Sequence, residues 1–238
     1  MQAYRSELVL DFQGLLRSAL IGRLCRGGSF LGLSDAREGA RFFYDGVADV
    51  SAQSHAVDRY LQLVATLGVD TTGPLEWPMP LGVPIPGVEP GYVLLHPFSR
   101  GAGKSLSLSQ VREFCDALAP MRVILVGRSA EVVPAQSNAL NLLNRTSLEE
   151  LVWLIRAAGY VVSVDSGPMH MAAALTPRLL ALHTWSDPAK VGPYRPEAWI
   201  WKSQRLFQRA HPEAGRPVRD FGEIALFVRD QMNSFGGS

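Results

Sequence analysis

The apolar residues of this 238-residue chain follow two patterns, short unbroken runs and runs spaced three or four positions apart. Short β-branched runs are typical of strands buried on both faces, and the wider spacing is typical of amphipathic helices. The first pattern predicts strands over residues 7–11, 29–33, 92–96, 122–126, 160–164 and 178–183, with an edge strand over 199–202. The second predicts helices over residues 12–25, 55–67, 107–118, 147–158, 169–175 and 218–232.

Six prolines between residues 71 and 91 interrupt this alternation. Proline lacks a backbone N–H, so such a stretch holds neither a helix nor a central strand. We therefore predict two domains, residues 1–72 and 91–238, joined by an extended linker over 73–90. Beyond the linker, strands alternate with helices, which predicts βαβ units, a parallel sheet and the α/β class.

The most informative stretch is YVVSVDSGPMHMAAAL, residues 160–175, which predicts a strand, a tight turn and a helix. Pro168 suits the first helical position. Asp165, Ser166, Gly167 and His170 then follow the carboxyl end of the strand, where ligands bind in open α/β sheets. The free amides and positive end of the helix suit a phosphate or carboxylate, to which His170 could also donate. The plainer alternative, with Asp165 as a helix cap and His170 packed at the sheet edge, is equally compatible with these residues.

Three other strand ends carry polar residues, at 96–105, 127–131 and 184–187. Because the carboxyl ends of parallel strands share one edge of a sheet, we expect these loops to converge on residues 165–170. Together they supply a lysine, a histidine, hydroxyls and carboxylates. This set predicts a site for a diphosphate and the hydroxyls of a sugar.

The Gly103-Lys104-Ser105 sequence suggests a competing hypothesis, the end of a nucleotide-binding P-loop. That motif requires glycine where this chain has Phe98. A capping box at Ser107 also predicts a helix that starts after Lys104, whereas a P-loop lysine sits at the helix start. The sequence therefore disfavours a nucleoside triphosphatase, and the simplest alternative for Lys104 is a solvated loop lysine.

Composition narrows the function classes further. A formal net charge of +1 gives no indication of nucleic-acid binding. Cys25 and Cys115 lie far apart, so we expect neither a disulfide framework nor a metal site, and we expect a reducing compartment. The sequence shows no signal-peptide pattern at its start and no apolar run long enough to predict a transmembrane segment.

The stretch VVSVDSGPMHMAAAL, residues 161–175, resembles the signature of the family 9 glycosyltransferases, the ADP-heptose:lipopolysaccharide heptosyltransferases, and is most similar to the heptosyltransferase I type. Further motifs occur in the order of that family on both sides of the linker. They are residues 11–19 (DFQGLLRSA), 36–38 (ARE), 43–44 (FY), 55–59 (HAVDR), 147–151 (SLEEL), 186–188 (SDP) and 191–194 (VGPY).

The resemblance implies an α/β fold of the GT-B type, two Rossmann-like domains facing across a cleft, with the N-terminal one truncated. It implies an inverting transferase that moves heptose from an ADP-sugar to an anionic lipopolysaccharide core acceptor without a cofactor. The C-terminal domain would bind the donor, and the N-terminal domain would bind the acceptor. We expect a cytoplasmic protein in peripheral contact with the inner face of the inner membrane, where the acceptor is anchored.

Site residues follow from the same resemblance. Lys104 is the expected catalytic group because it would offset the charge of the leaving diphosphate. Arg17 and Arg37 match basic positions on the acceptor side. The residues expected to bind the donor are Ser99, Lys104, Glu131, Asp165, Ser166, Gly167 and His170.

One departure from the family motivates an alternative function. Family members begin with a strand and a Gly-Asp turn whose aspartate deprotonates the acceptor. This sequence contains no such segment and starts about where the family's fourth strand would lie. The alternative is a catalytically impaired relative that binds a nucleotide-sugar without transferring it, and an assay of transfer against binding separates the two hypotheses.

Overall fold

The strands form two separate sheets in a computed structural model, which describes residues 6–101 and 103–235. Ala102, within the expected loop over 96–105, lies outside the described residues. The chain divides into two compact units, residues 1–75 and 76–238, and each holds one of the sheets.

The first unit is built on three parallel strands within its described residues, in the order β1-β2-β3. Leu33, Ala48, Val50 and Leu63 form its small core. Its elements are β1 (Ser6–Asp11), α1 (Leu16–Cys25), β2 (Arg26–Leu33), a 3-10 helix (Ala40–Phe43), β3 (Gly46–Ala48) and α2 (Ala56–Ala65).

Helix α1 buries only a narrow face in this unit. Ala19 and Gly22 are its buried residues, whereas Leu20 and Leu24 remain exposed. A Cβ on Gly22 would come within 2.4 Å of the Phe30 ring. The absence of a side chain at that position therefore lets the helix approach β2 closely.

The second unit is a doubly wound sheet, with strands in the order β11-β10-β9-β8-β7-β4-β5-β6. The strands from β9 to β6 in this order are parallel, and the hairpins β9-β10 and β10-β11 are antiparallel. The order reverses between β4 and β7, which makes their shared edge the topological switch point. The strands are β4 (Val93–His96), β5 (Val123–Leu125), β6 (Ala139–Asn141), β7 (Tyr160–Val164), β8 (Leu179–His183), β9 (Trp199–Lys202), β10 (Arg205–Gln208) and β11 (His211–Pro217).

Helices cover both faces of the parallel strands. Val93 and Leu95 pack into the core that contains α3 and α7, whereas Leu94 packs into the core that contains α4 and α5. Alternate residues therefore face opposite cores, as a strand buried on both sides requires. The helices are α3 (Leu108–Leu118), α4 (Leu148–Ala157), α5 (Gly167–Leu175), α6 (Pro188–Val191) and α7 (Phe221–Phe235).

The prediction that residues 199–202 form an edge strand is wrong about the position of the strand. Strand β9 exists, but it lies inside the sheet between β8 and β10. The β10-β11 hairpin that covers it is mostly polar, so no apolar pattern predicted it. Its turn with β9 places Ser203 and Gln204 at φ angles of 51° and 59°, without the Asn-Gly pair that usually indicates such a turn.

The proline-rich stretch contains no helix or strand over the described residues 66–92, and it packs against α4. The Val83 N–H donates to the Glu149 carbonyl at 3.1 Å, and the Arg156 guanidinium donates to the carbonyls of Met79 and Pro80 at 3.1 and 3.2 Å. The structure therefore assigns residues from 76 onward to the second unit. The boundaries predicted for the two domains, 1–72 and 91–238, stay a proposal.

The central strand should dominate the stability of the second unit. Leu95 is completely buried in β4, and we expect Leu95→Ala to lower the free energy of unfolding by about 2–5 kcal/mol, the range for a buried leucine. Leu81, which is 81% exposed, provides the control, and Leu81→Ala should change stability by less than about 0.5 kcal/mol. Urea unfolding followed by tryptophan fluorescence reports on this unit, since all five tryptophans lie in it. Similar losses for the two variants would contradict the prediction.

Candidate functional site

A cleft of about 470 Å³ opens at the switch point, at the carboxyl ends of β4, β5, β6 and β7. Its volume falls within the range of small-ligand pockets, roughly 300–1,000 Å³. Four loops line it, and each supplies polar groups. The lining residues are His96, Phe98, Ser99, Arg100, Gly127, Arg128, Asn144, Thr146, Ser147, Leu148, Leu151, Ser166, Gly167 and Pro168.

The start of α5 forms one wall of this cleft. Ser166 is the N-cap residue, but its side chain makes no capping hydrogen bond. Its hydroxyl instead donates to the Val164 carbonyl at 2.9 Å. Because the side chain does not cover the helix end, Gly167 at the cleft surface presents the positive end of α5 to a bound anion.

His96 ends β4 beneath this helix start and is only 5% exposed. Its Nδ1 lies 3.2 Å from the Ser166 Oγ and 3.4 Å from the Ser163 Oγ. Burial lowers the pKa of the imidazole to about 4, against the opposing effect of a hydrogen bond to its own backbone, so the ring is neutral at pH 7. A Cβ on Gly127 would come within 2.8 Å of this ring, and the φ angle of Gly127 is +118°. Both the close contact and the backbone conformation therefore require glycine at this position.

Lys104 and Asp165 meet beside the cleft. The Lys104 Nζ lies 3.7 Å from the Asp165 Oδ2 and 5.2 Å from the centroid of the Trp185 ring. The Thr184 hydroxyl donates to the Gly103 carbonyl at 2.7 Å, which joins the loop after β8 to the loop after β4. The loops after β4, β7 and β8 therefore converge, as the parallel sheet predicted. Helix α3 begins at Leu108, four residues after Lys104, whereas the lysine of a P-loop lies at the start of its helix.

Asp165 also influences two histidines. Burial lowers the pKa of His183 to about 4, and the Asp165 carboxylate opposes this shift, while the Lys202 ammonium adds to it. The His183 Nδ1 lies 2.9 Å from the Ser186 Oγ. His170, in the first turn of α5, is exposed; partial desolvation lowers its pKa and Asp165 opposes that effect. The His183 imidazole is therefore neutral at pH 7, and the lowered pKa of His170 favours its neutral form as well.

The residues expected to bind the donor occupy three kinds of position. Ser99, Ser166 and Gly167 line the cleft. Lys104 and Asp165 lie beside it on the converging loops, and His170 lies in the first turn of α5. Glu131 is different, because its side chain is exposed and does not belong to the described lining of the cleft. Its N–H donates to the Ser129 Oγ at 3.0 Å, so its position is set within its own loop.

Asn144 was not expected from the sequence, and it organises the back of the cleft. Its side-chain amide donates to the Ser129 carbonyl at 2.7 Å and accepts from the Ser129 N–H at 3.1 Å. Its own N–H donates to the Gly127 carbonyl at 2.8 Å. The loops after β5 and β6 are thereby joined. The sequence concealed this because β6 is three residues long and has no clear apolar pattern.

Asp11 closes the end of β1 in the first unit and is 5% exposed. One of its oxygens accepts from the N–H groups of Gln13 and Gly14 at 2.9 and 3.1 Å. The other accepts from the hydroxyls of Ser18 and Tyr44 at 2.8 and 2.7 Å. Burial is the largest cause of the raised pKa of the Tyr44 hydroxyl, and the hydrogen bond to Asp11 raises it further. Four donors on one carboxylate indicate a structural role.

Arg17 and Arg37, the basic residues expected on the acceptor side, have exposed side chains. Arg17 belongs to α1, and Arg37 follows β2. The Arg37 N–H donates to the Gly14 carbonyl at 2.8 Å, so the loops after β1 and β2 are adjacent. Two exposed guanidinium groups at the carboxyl ends of neighbouring strands suit an anionic ligand.

Neither a metal cluster nor a membrane span emerges from the part of the chain that the structure describes. No group of three or more His, Cys, Asp or Glu side chains there is arranged to hold a metal ion. None of the described helices combines the length and apolar character needed to cross a bilayer.

The reversal of strand order, the cleft at that point and the uncapped helix start define a Rossmann-type α/β unit with a cleft at its switch point. The chain belongs to glycosyltransferase family 9 (heptosyltransferase), whose family pattern matches residues 1–106 and 110–213. This match confirms the family that the sequence motifs indicated.

Two curated relatives show where the similarity lies. The chain is 32% identical over 208 residues to lipopolysaccharide heptosyltransferase 1 of Salmonella typhimurium LT2, covering 81% of this chain and 65% of that protein. It is 30% identical over 221 residues to lipopolysaccharide heptosyltransferase 1 of Escherichia coli K12, covering 86% of this chain and 69% of that protein. The expected resemblance to the heptosyltransferase I type is confirmed, and the chain spans about two thirds of the length of these relatives.

Solved structures confirm the GT-B fold class. The E. coli heptosyltransferase WaaC with ADP matches 98% of this chain and 74% of its own, with a TM-score of 0.70 and 24% identity. The E. coli ADP-heptose lipopolysaccharide heptosyltransferase II matches 97% of this chain and 77% of its own, with a TM-score of 0.68 and 20% identity.

The structural role of Asp11 leads to a stability prediction. Asp11→Ala leaves buried donors unpaired, and we expect it to lower the stability of the first unit by about 1–3 kcal/mol. Hydrogen exchange of the β2 amides measures this loss without interference from the second unit. Asp49, which is exposed, provides the matched control, and Asp49→Ala should leave the exchange of β2 nearly unchanged. If both substitutions had equal effects, the hydrogen-bond network of Asp11 would not stabilise this unit.

Proposed function

We propose that this chain transfers heptose, or a related sugar, from an ADP-sugar to the core of lipopolysaccharide, with inversion at the anomeric carbon. The observation that carries the proposal is the meeting of Lys104, Asp165 and the uncapped start of α5 at the switch-point cleft. Membership of the heptosyltransferase family supports the choice of donor, as do the ADP and the ADP-2-deoxy-2-fluoro heptose held in structures of E. coli heptosyltransferase WaaC.

The chemistry assigns a role to each of these groups. The acceptor oxygen attacks the anomeric carbon as the bond to the β-phosphate oxygen breaks, so negative charge grows on the departing ADP. The Lys104 ammonium and the Ser166 and Gly167 amides at the start of α5 stabilise that charge, and electrostatic stabilisation of this kind is usually the largest single contribution to catalysis. Asp165 holds a sugar hydroxyl, while Ser99 and His170 provide further polar contacts to the donor.

The acceptor side is assigned to the first unit. Arg17 and Arg37 present two exposed cations to the anionic lipopolysaccharide core, where guanidinium groups pair well with phosphate and carboxylate. The acceptor proton must pass to a general base. Asp11 already accepts four hydrogen bonds and Asp35 pairs with Arg59 at 2.6 Å, so both carboxylates are occupied.

Cellular location follows from the substrates. An ADP-sugar is a cytoplasmic metabolite, and a lipid-linked core acceptor lies at the inner face of the inner membrane. The proposal therefore places the chain in the cytoplasm, in peripheral contact with that face through its acceptor.

Binding and transfer by three single variants test the donor site. We expect Lys104→Met, Asp165→Ala and His170→Ala to weaken ADP-heptose binding by about 5- to 150-fold, the equivalent of 1–3 kcal/mol for a lost buried polar partner. Lys104→Met should weaken ADP-heptose more than adenosine, because the lysine contacts the diphosphate. Calorimetry with both ligands measures the difference, and Lys190→Met, on α6, is the control.

Transfer to a lipopolysaccharide core acceptor decides between the two functional hypotheses. Transfer by the 238-residue chain that Lys104→Met abolishes supports the enzyme. Tight ADP-heptose binding without transfer would establish the alternative, a relative that holds the donor and lacks the base. Equal losses for adenosine and ADP-heptose would remove Lys104 from the diphosphate site.

We expect Trp185 to contribute to ADP binding through its contact with Lys104. Its ring is 69% exposed and holds the ammonium at 5.2 Å, so it limits the freedom of that side chain before the donor binds. A cation–π contact of about 0.5–1 kcal/mol predicts that Trp185→Leu weakens ADP binding about two- to fivefold, whereas Trp185→Phe retains most of it. The control is Trp77→Leu, since Trp77 is also exposed, and an effect of equal size there would refute the prediction.

A further inference from the structure

Three serines occupy N-cap positions in the second unit, but only two of them cap their helices. The Ser107 Oγ accepts from the Gln110 N–H at 3.2 Å, and the Ser147 Oγ accepts from the Glu150 N–H at 3.1 Å. Serine at an N-cap normally stabilises its helix in this way. Ser166 does not, and its side chain turns back toward the sheet. Its backbone is also more extended, with φ of −168° against −74° and −73° for the other two. Besides the Val164 carbonyl, which accepts from its hydroxyl, a neighbouring side chain lies within hydrogen-bond distance on that side.

Hydrogen-bond directions identify that group. A carbonyl oxygen can only accept, so the hydroxyls of Ser163 and Ser166 both donate to the Val164 carbonyl, each at 2.9 Å. Each hydroxyl has one hydrogen, and therefore each presents lone pairs to the His96 Nδ1, at 3.4 and 3.2 Å. Nδ1 must then carry the proton of this neutral imidazole and donate it. The Nε2 of His96 is left as an acceptor.

Packing holds the ring in this orientation. His96 is 5% exposed, and the backbone of Gly127 approaches so closely that a Cβ would lie 2.8 Å from both Cδ2 and Nε2. A ring held on one side by Gly127 and hydrogen-bonded to Ser166 on the other has little freedom to turn. Such constraint is how neighbouring groups keep a binding site in its productive geometry.

We propose that His96 is a positioning residue: by donating from Nδ1 to the Ser166 hydroxyl, it keeps that hydroxyl off the start of α5 and leaves the helix end open to the diphosphate of the donor. Without this bond, the Ser166 side chain can rotate and compete for the Met169 N–H, which now donates to the Ser166 carbonyl at 3.1 Å; Ser107 and Ser147 cap their own helices by accepting the corresponding N–H. A hydroxyl over the helix end occupies the position that a phosphate oxygen requires. The ligand in this inference rests on the function proposed above.

A first test uses the unsubstituted chain and no ligand. Long-range ¹H–¹⁵N NMR of the imidazole nitrogens distinguishes the two tautomers. We expect the His96 Nδ1 to be protonated and Nε2 to be bare at pH 7. The opposite tautomer would overturn the inference whatever the chain binds, because His96 could then donate nothing to Ser166.

A second test compares two substitutions at His96, with ADP as the probe in calorimetry on the full chain. The amide nitrogen of asparagine can take the place of Nδ1, whereas the glutamine amide lies nearer the place of Nε2. We expect His96→Asn to bind ADP within about twofold of the unsubstituted chain and His96→Gln to bind about three- to tenfold more weakly, the range for one lost hydrogen bond. Circular dichroism establishes that both variants fold.

A third test asks whether His96 acts through Ser166. If it does, His96→Gln should weaken ADP binding in the unsubstituted chain and have little further effect in a Ser166→Ala chain, because no hydroxyl remains to rotate. Equal losses in both backgrounds would show that His96 acts on the ligand or the fold directly, and would overturn the inference while leaving the proposed function intact. Failure of the unsubstituted chain to bind ADP would instead overturn both.

Discussion

The parallel pairing of β4 with β7 is the constraint on which the second unit depends. Its register places His96 beside Ser163 at the carboxyl ends of the two strands. The other strands of the unit are added outward from this pair, β5 and β6 on one side and β8 to β11 on the other. The helices that follow β4 and β7, α3 and α5, therefore lie on opposite faces of the sheet, and the cleft opens at the strand ends between them.

Burial at this pair explains the chemistry of the site. Val93, Leu94 and Leu95 are buried, so the part of β4 that leads to the cleft lies in an interior without water. Polar groups there must find partners in the protein, and His96, Ser163 and Ser166 find them in one another. Charged groups stay nearer the solvent, where Lys104 and Asp165 pair at 3.7 Å with part of each side chain exposed. A buried neutral network thus supports an exposed charged one.

The first unit is organised differently, by one carboxylate at a strand end. Its apolar core cluster is small, with Leu33, Ala48, Val50 and Leu63 as its buried members, and several leucines of α1 remain exposed. Among its described strands, β1 has a partner on one side only. The four hydrogen bonds of Asp11 are consequently a large share of what connects β1, α1 and the segment before β3. In a unit with so small a sheet, hydrogen bonds supply part of the stabilisation that a larger apolar core would otherwise provide.

The sequence by itself determined the alternation of strands and helices, the strand-turn-helix at 160–175 and the heptosyltransferase family, because periodicity and motifs are local properties of a chain. It also located the strand ends that carry Lys104 and Asp165, since buried strands are unbroken apolar runs. Only the tertiary structure decided that β9 is internal, that Asn144 joins two loops and that His96 lies under Ser166. These features arise from pairings between distant segments, such as His96 with Gly127 and Ser129 with Asn144, which leave no periodic pattern in either segment. Glu131 shows the converse: its place in a motif could be recognised from the sequence, but the exposed position of its side chain depends on how the loop after β5 folds.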